Sequence, residues 1–157
     1  MNNSKNQQND PGPAWSLLLT AGGAIQAALA EAEPAMADAG LADAKAFFLL
    51  SSVPDHPHPA ALAGALMLPR PTVSFLIKRA EAAGHLERHP DPGDLRRFRL
   101  SLTPAGRAAV RRGRDAIDRA WSKRMARLTP AEARRFAQTV QKLAAPPVTT
   151  HPGRPPE

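Results

Sequence analysis

Apolar residues recur at helical spacing along most of this chain and switch to strict alternation in one short stretch. The first run, Trp15 to about Ala32, carries Trp15, Leu18, Leu19 and Ile25 and predicts a helix that stops before Pro34. A second helix is predicted from Leu41 to Ser52, with Phe47, Phe48 and Leu50 available to a core. Val53 to Pro59 contains three prolines and cannot extend that helix, whereas Pro59 suits the first turn of a third one, Pro59–Leu66. Met67-Leu68-Pro69 then separates it from Arg70–Gly84, where Val73, Leu76, Ile77 and Ala80 fall on one face and Gly84 is a natural stop. Two short helices joined by a three-residue turn read as a helix-turn-helix.

Period two takes over in the next segment. In Phe98-Arg-Leu-Ser-Leu102 the apolar side chains face one way and Arg97, Arg99 and Ser101 the other; with Leu86–His89 this predicts two strands. Pro90-Asp-Pro-Gly-Asp94 between them is turn chemistry, so the pair forms a hairpin. Thr103 and Pro104 provide an N-cap and first position for a long helix striped with Val110, Ile117, Trp121, Met125 and Leu128. Thr129-Pro-Ala-Glu132 is a capping box that opens a last helix to about Ala145. The fold class is mainly α with a small β-hairpin.

Composition narrows this picture. At 157 residues the chain suits one domain, and with 43% apolar but only 4% aromatic residues its core has to be aliphatic. The tails 1–13 and 146–157, the latter rich in proline, lack the apolar content to fold and are expected to be flexible. The net charge of +7 points to a polyanionic partner, nucleic acid ahead of membrane. No run approaches the ~20 apolar residues of a membrane span, and residues 1–10 lack a signal-peptide core. The absence of cysteine excludes disulfides, thiolate zinc sites and thiol redox switches. The chain reads as cytoplasmic.

With the apolar face of Arg70–Gly84 inward, Arg70, Thr72, Ser74, Phe75, Lys78 and Arg79 lie on or beside its outer face. Arginine can pair with guanine, hydroxyls can reach phosphates or bases, and an exposed aromatic can touch a thymine methyl. The hairpin adds Arg96, Arg97 and Arg99 at its tip and returning strand, with Arg88 on the outgoing strand and Asp94 placed to orient Arg96. Guanidinium groups on a protruding loop suit a narrow minor groove. The stretch Asp55-His56-Pro57-His58 has too few ligands for zinc, so no metal is expected; no cofactor motif or catalytic constellation is evident, and the chain does not read as an enzyme.

Taken together, Arg70-Pro-Thr-Val-Ser74, Glu81, Gly84, Asp91-Pro-Gly-Asp-Leu-Arg-Arg97 and Leu102-Thr-Pro-Ala-Gly106 resemble the MarR family of bacterial transcriptional regulators. The resemblance implies a winged helix-turn-helix domain over 14–145, with a DNA-binding lobe at about 41–103 and dimerisation helices at about 15–33 and 104–145. It also implies a homodimer on double-stranded DNA, a repressor relieved by a small phenolic or lipophilic effector. Arg70–Gly84 would enter the major groove and the wing the minor groove, with DNA contacts from Arg70, Thr72, Ser74, Phe75, Lys78, Arg79, Asp94, Arg96 and Arg97. Three features depart from the family pattern: Ala80, where Leu is usual, Phe75, where polar or basic residues are common, and His56-Pro-His-Pro59, longer and stiffer than the usual turn before the third helix. The alternative is a winged-helix protein–protein adaptor without DNA binding.

Overall fold

The computed structural model describes residues 14–144, so both tails expected to be flexible lie outside the described residues. The elements are α1 (Ala14–Asp38), α2 (Ala44–Ser52), α3 (Pro59–Ala65), α4 (Arg70–Ala82), β1 (Leu86–Asp91), β2 (Asp94–Leu102), α5 (Pro104–Met125) and α6 (Pro130–Ala144). Their order and types match the patterning. The chain forms two compact units, one reaching Trp121 and the other starting at Ser122. No single helix among the described residues is long and apolar enough to cross a membrane.

The core of the first unit is aliphatic, with Met36, Leu41, Leu49, Leu50, Leu62, Val73, Ile77 and Leu100 fully enclosed. α4 buries Val73, Leu76, Ile77 and Ala80, the face its periodicity predicts. α5 contributes a face of small residues, Gly106, Ala109, Val110, Gly113, Ala116 and Ala120, which lets its backbone sit close to the core. Ile117 and Trp121 of the predicted stripe are partly buried beside it.

α1 departs from expectation twice. It runs through Pro34 to Asp38 instead of stopping near Ala32. Proline forfeits one backbone hydrogen bond, but Ala32 and Met36 on either side are anchored in the core, and tertiary packing overrides the local signal. The helix ends instead at Gly40, whose φ is +79°. The Gly40 N–H donates to the Ala37 carbonyl and the Leu41 N–H to that of Met36, the paired bonds of a Schellman cap. Its inward residues are Ala28, Ala32 and Met36, while Trp15, Leu18, Leu19 and Ile25 are all at least 50% exposed.

α2 starts later than predicted, because Asp43 is its N-cap and accepts from the Ala46 N–H at 2.8 Å. Phe47 is buried, but Phe48 stands at the surface with its ring edge-on to Phe47. α3 and α4 are bent 115° at their break, the crossing of a helix-turn-helix. Another Schellman cap closes α3, its left-handed position taken by Met67 at φ +52°.

In the second unit, α6 begins with the predicted capping box: the Thr129 N–H donates to Glu132 Oε2 at 2.8 Å and the Glu132 N–H to Thr129 Oγ1 at 3.4 Å. That backbone N–H, then the Thr129 hydroxyl, holds the Glu132 carboxyl below the usual carboxylate range. α6 has no buried residue, and Phe136, Val140 and Leu143 are exposed.

Candidate nucleic-acid interface

The outer face of α4 is set by what its inner face buries. Arg70, Ser74, Phe75 and Lys78 are exposed, and Thr72 and Arg79 are half-buried. Arg70 is the first helical residue, preceded by Pro69, which provides no side-chain cap, and followed by Pro71, which carries no N–H. The first-turn amides of Arg70 and Thr72 are therefore left for an external acceptor. Arg79 is already engaged: its Nη1 lies 3.4 Å from Asp43 Oδ2, and its guanidinium sits 5.7 Å from the Phe75 ring centre.

α4 ends in a third Schellman cap. Gly84 adopts φ +70°, its N–H donates to the Glu81 carbonyl, and the His85 N–H donates to that of Ala80. This reversal aims β1 back along the helix, where Thr103 Oγ1 donates to the Gly84 carbonyl at 2.6 Å and accepts from the Gly106 N–H at 3.0 Å. One hydroxyl thus joins the end of α4 to the start of α5. His85 is buried here, and its pKa is lowered by desolvation and then by the Arg112 charge.

β1 and β2 pair antiparallel from Leu86↔Leu102 to Pro90↔Phe98, with an irregularity before Asp91↔Asp94. The tip is built by aspartates acting on backbone. Asp91 Oδ1 accepts from the Gly93 N–H at 2.8 Å, and Asp94 Oδ1 accepts from the Arg96 N–H at 3.0 Å. Asp94 therefore shapes the Arg96 backbone, whereas the sequence suggested that it holds the guanidinium. Arg96, Arg97 and Arg99 are exposed.

Arg88 belongs to a different group from the other wing arginines. It pairs with Glu81 of α4, Nη2 donating to Oε2 at 2.8 Å and Nε to Oε1, and its guanidinium stacks 4.4 Å from the Phe98 ring centre. The Glu81 hydrogen bond raises its pKa further. Arg88 is thus an internal brace between α4 and the wing. Sequence reasoning placed it with the exposed arginines because its partner lies on another element.

The proline-rich loop also reaches the wing. The Leu100 N–H donates to the Pro57 carbonyl at 2.8 Å, laying the loop beside β2. His58 Nδ1 is 3.2 Å from the Phe98 carbonyl oxygen, and its Nε2 is 3.1 Å from Asp91 Oδ2. No sequence signal marks these contacts, since one partner is a backbone carbonyl and both lie more than thirty residues away. No group of three potential metal ligands occurs among the described residues. Glu87, His89 and Ser101 meet on the outer face of the hairpin, but the carboxylate and hydroxyl both approach His89 Nε2. A nucleophilic triad needs them on opposite ring nitrogens, so this is a surface hydrogen-bond network.

Residues 40–97, from the glycine closing α1 to the wing arginines, match the family model described as MarR family. No curated protein matches the chain. Among solved structures, the chain is similar to the reduced form of MarR from E. coli, with a TM-score of 0.73 and 21% identity over 87% of this chain and 100% of that one. It is also similar to a Mycobacterium tuberculosis MarR family protein in complex with DNA (TM-score 0.69, 25% identity, 85% of this chain and 98% of that one). A third similar structure is BpsR from Bordetella bronchiseptica, described for regulation of its DNA binding by 6-hydroxynicotinic acid (TM-score 0.68, 25% identity, 86% and 95%).

Proposed function

We propose that the protein is a homodimeric transcriptional regulator that binds duplex DNA, starting from the match of residues 40–97 to the MarR family model and from the winged-helix fold. The observation that carries the reading is the pairing of two exposed basic elements on one braced frame: α4 with Arg70 and Lys78, and the wing with Arg96 and Arg97. Arg70, Thr72, Ser74, Phe75 and Lys78 face the major groove, with Arg79 beside them and held by Asp43. Arg96 and Arg97 enter the minor groove on a backbone shaped by Asp94.

The homodimer is supported by exposed apolar residues on the terminal helices, Trp15, Leu17, Leu18 and Leu19 on α1 and Val140 and Leu143 on α6. The proposal includes a repressing role relieved by a small phenolic or lipophilic effector; the effector part is supported by the similar BpsR, described for regulation of its DNA binding by 6-hydroxynicotinic acid. A hollow of about 360 Å³ between α1 and α2, lined by Leu29, Glu33, Asp43, Lys45 and Phe48 among others, has room for one aromatic ring.

A gel shift with the duplex upstream of its own coding sequence tests the reading. Binding should weaken steeply with salt, as several phosphate contacts require, and 6-hydroxynicotinate should release the DNA if the effector reading holds. Absence of any shift, with sedimentation still giving a dimer, would favour the protein–protein adaptor.

A further inference from the structure

The two contacts of His58 make unequal demands on its proton. The Phe98 carbonyl can only accept, so a hydrogen bond across the 3.2 Å to Nδ1 requires an N–H there. Asp91 Oδ2, 3.1 Å from Nε2, belongs to a carboxyl held below the usual range first by the Gly93 N–H and then by the His58 and Arg97 charges. It is ionised wherever histidine titrates, and it too can only accept. A neutral imidazole has one N–H and satisfies one of these oxygens; its other nitrogen then directs a lone pair at the second. Only the imidazolium satisfies both.

The position magnifies the contact. His58 is the N-cap residue of α3 and makes no capping bond with its side chain. It joins the helix-turn-helix to both strands of the wing, Asp91 on β1 and Phe98 on β2, just where the hairpin register becomes irregular. With Pro59, Ala60, Arg96, Arg97 and Phe98 it lines an open groove beside the wing arginines. The charged groups beside it are Asp91 on β1 and Arg96 and Arg97 on β2, and the titratable Asp55 and His56 precede it on its own loop.

We infer that His58 is a positioning residue for the wing: its imidazolium bridges Asp91 and the Phe98 carbonyl, and its deprotonation releases one of the two, loosening the hairpin that carries Arg96 and Arg97. The wing is therefore proton-sensitive, fixed while His58 carries both ring protons and looser once one of them is lost. The consequence for duplex affinity rests on the DNA-binding reading above; the clamp does not.

Nitrogen-15 NMR of the DNA-free protein tests the clamp. At acidic pH both His58 ring nitrogens should be protonated, with the Gly93 and Phe98 amide signals shifting together with the His58 titration and those wing residues becoming more mobile at high pH. His58→Gln should abolish the coupled shift. Asp91→Asn, whose amide oxygen still accepts from Gly93, should weaken it while leaving the thermal melt near wild type. In titrations with the upstream duplex, the wild-type advantage over His58→Gln should shrink by about two- to tenfold across the His58 deprotonation that the NMR locates, the worth of one hydrogen bond. Wing signals that ignore His58 titration, or a His58→Gln wing as rigid as wild type at acidic pH, would overturn the inference. A pH-dependent wing in a protein that binds no DNA would support the clamp and count against the DNA-binding reading instead.

Discussion

Arg88 of β1 and Glu81 of α4 form a two-bond ion pair that ties the wing to the helix it follows. The stacking of Arg88 on Phe98 extends the brace across both strands. Because both charges are partly exposed, Arg88→Ala should lower the unfolding free energy by only about 1 kcal/mol in urea titrations. Duplex affinity should nevertheless fall several-fold, because the wing loses its seat. Arg88→Lys should recover only part, since an ammonium cannot bond both oxygens in the planar geometry of a guanidinium. Full recovery by lysine would show that charge alone matters.

The wing tip separates side-chain from backbone roles. Arg96→Ala should weaken duplex binding by about 1–3 kcal/mol per wing, doubled in a dimer, with a shallower salt slope. Asp94→Asn should leave affinity nearly intact, because its amide oxygen can still accept from the Arg96 N–H. Asp94→Ala should not. Fluorescence anisotropy with a labelled duplex distinguishes the three, and equal losses in both Asp94 variants would restore a role for the charge.

Gly106 is where α5 meets the turn after α4. A Cβ there would collide with the backbone carbonyl of His85, which has no side-chain freedom with which to yield. Gly106→Ala should therefore destabilise by about 2–3 kcal/mol in chemical denaturation, as overpacking against fixed atoms does.

Met67 offers the opposite test. It is 90% exposed and occupies the left-handed position that glycine takes in the caps of α1 and α4. Met67→Gly relieves about 1–2 kcal/mol of backbone strain and forfeits about half to one through the freer unfolded chain. A small net rise in the midpoint of urea unfolding is expected.

His85 sets an acid limit on stability. Its pKa is lowered in the fold by burial, then by Arg112, so the unfolded chain takes up a proton that the folded chain resists. Stability should fall as pH drops through the unfolded value and level off below the folded one. Thermal melts from about pH 7 to about pH 5 should show this decline, and His85→Gln should flatten it.

How legible each part was in the sequence depended on where its determinants lie. The buried face of α4 was readable because Val73, Leu76 and Ile77 are large and regularly spaced. The inward face of α1 was not, since Ala28 and Ala32 barely register as hydrophobic and Pro34 imitates a terminus. The small-residue face of α5 escaped for the same reason, while the larger Ile117 and Trp121 drew attention to its margin. In the candidate interface, turn chemistry exposed the wing and its arginines. The contacts that seat it, Glu81 to Arg88 and His58 to Asp91 and Phe98, join residues 7, 33 and 40 positions apart and exist only once the fold is closed.

The doubly seated wing alters how association divides its thermodynamic terms. A free hairpin loop would have to give up backbone disorder on meeting a duplex, at about 1–2 kcal/mol per residue fixed. Here that ordering is completed during folding by the aspartate-built tip and its two tethers. What remains to be immobilised on contact is side-chain rotation in a few arginines, about 0.5–1.5 kcal/mol each. Calorimetry of duplex binding should accordingly give a modest unfavourable conformational entropy, which grows when either tether is cut.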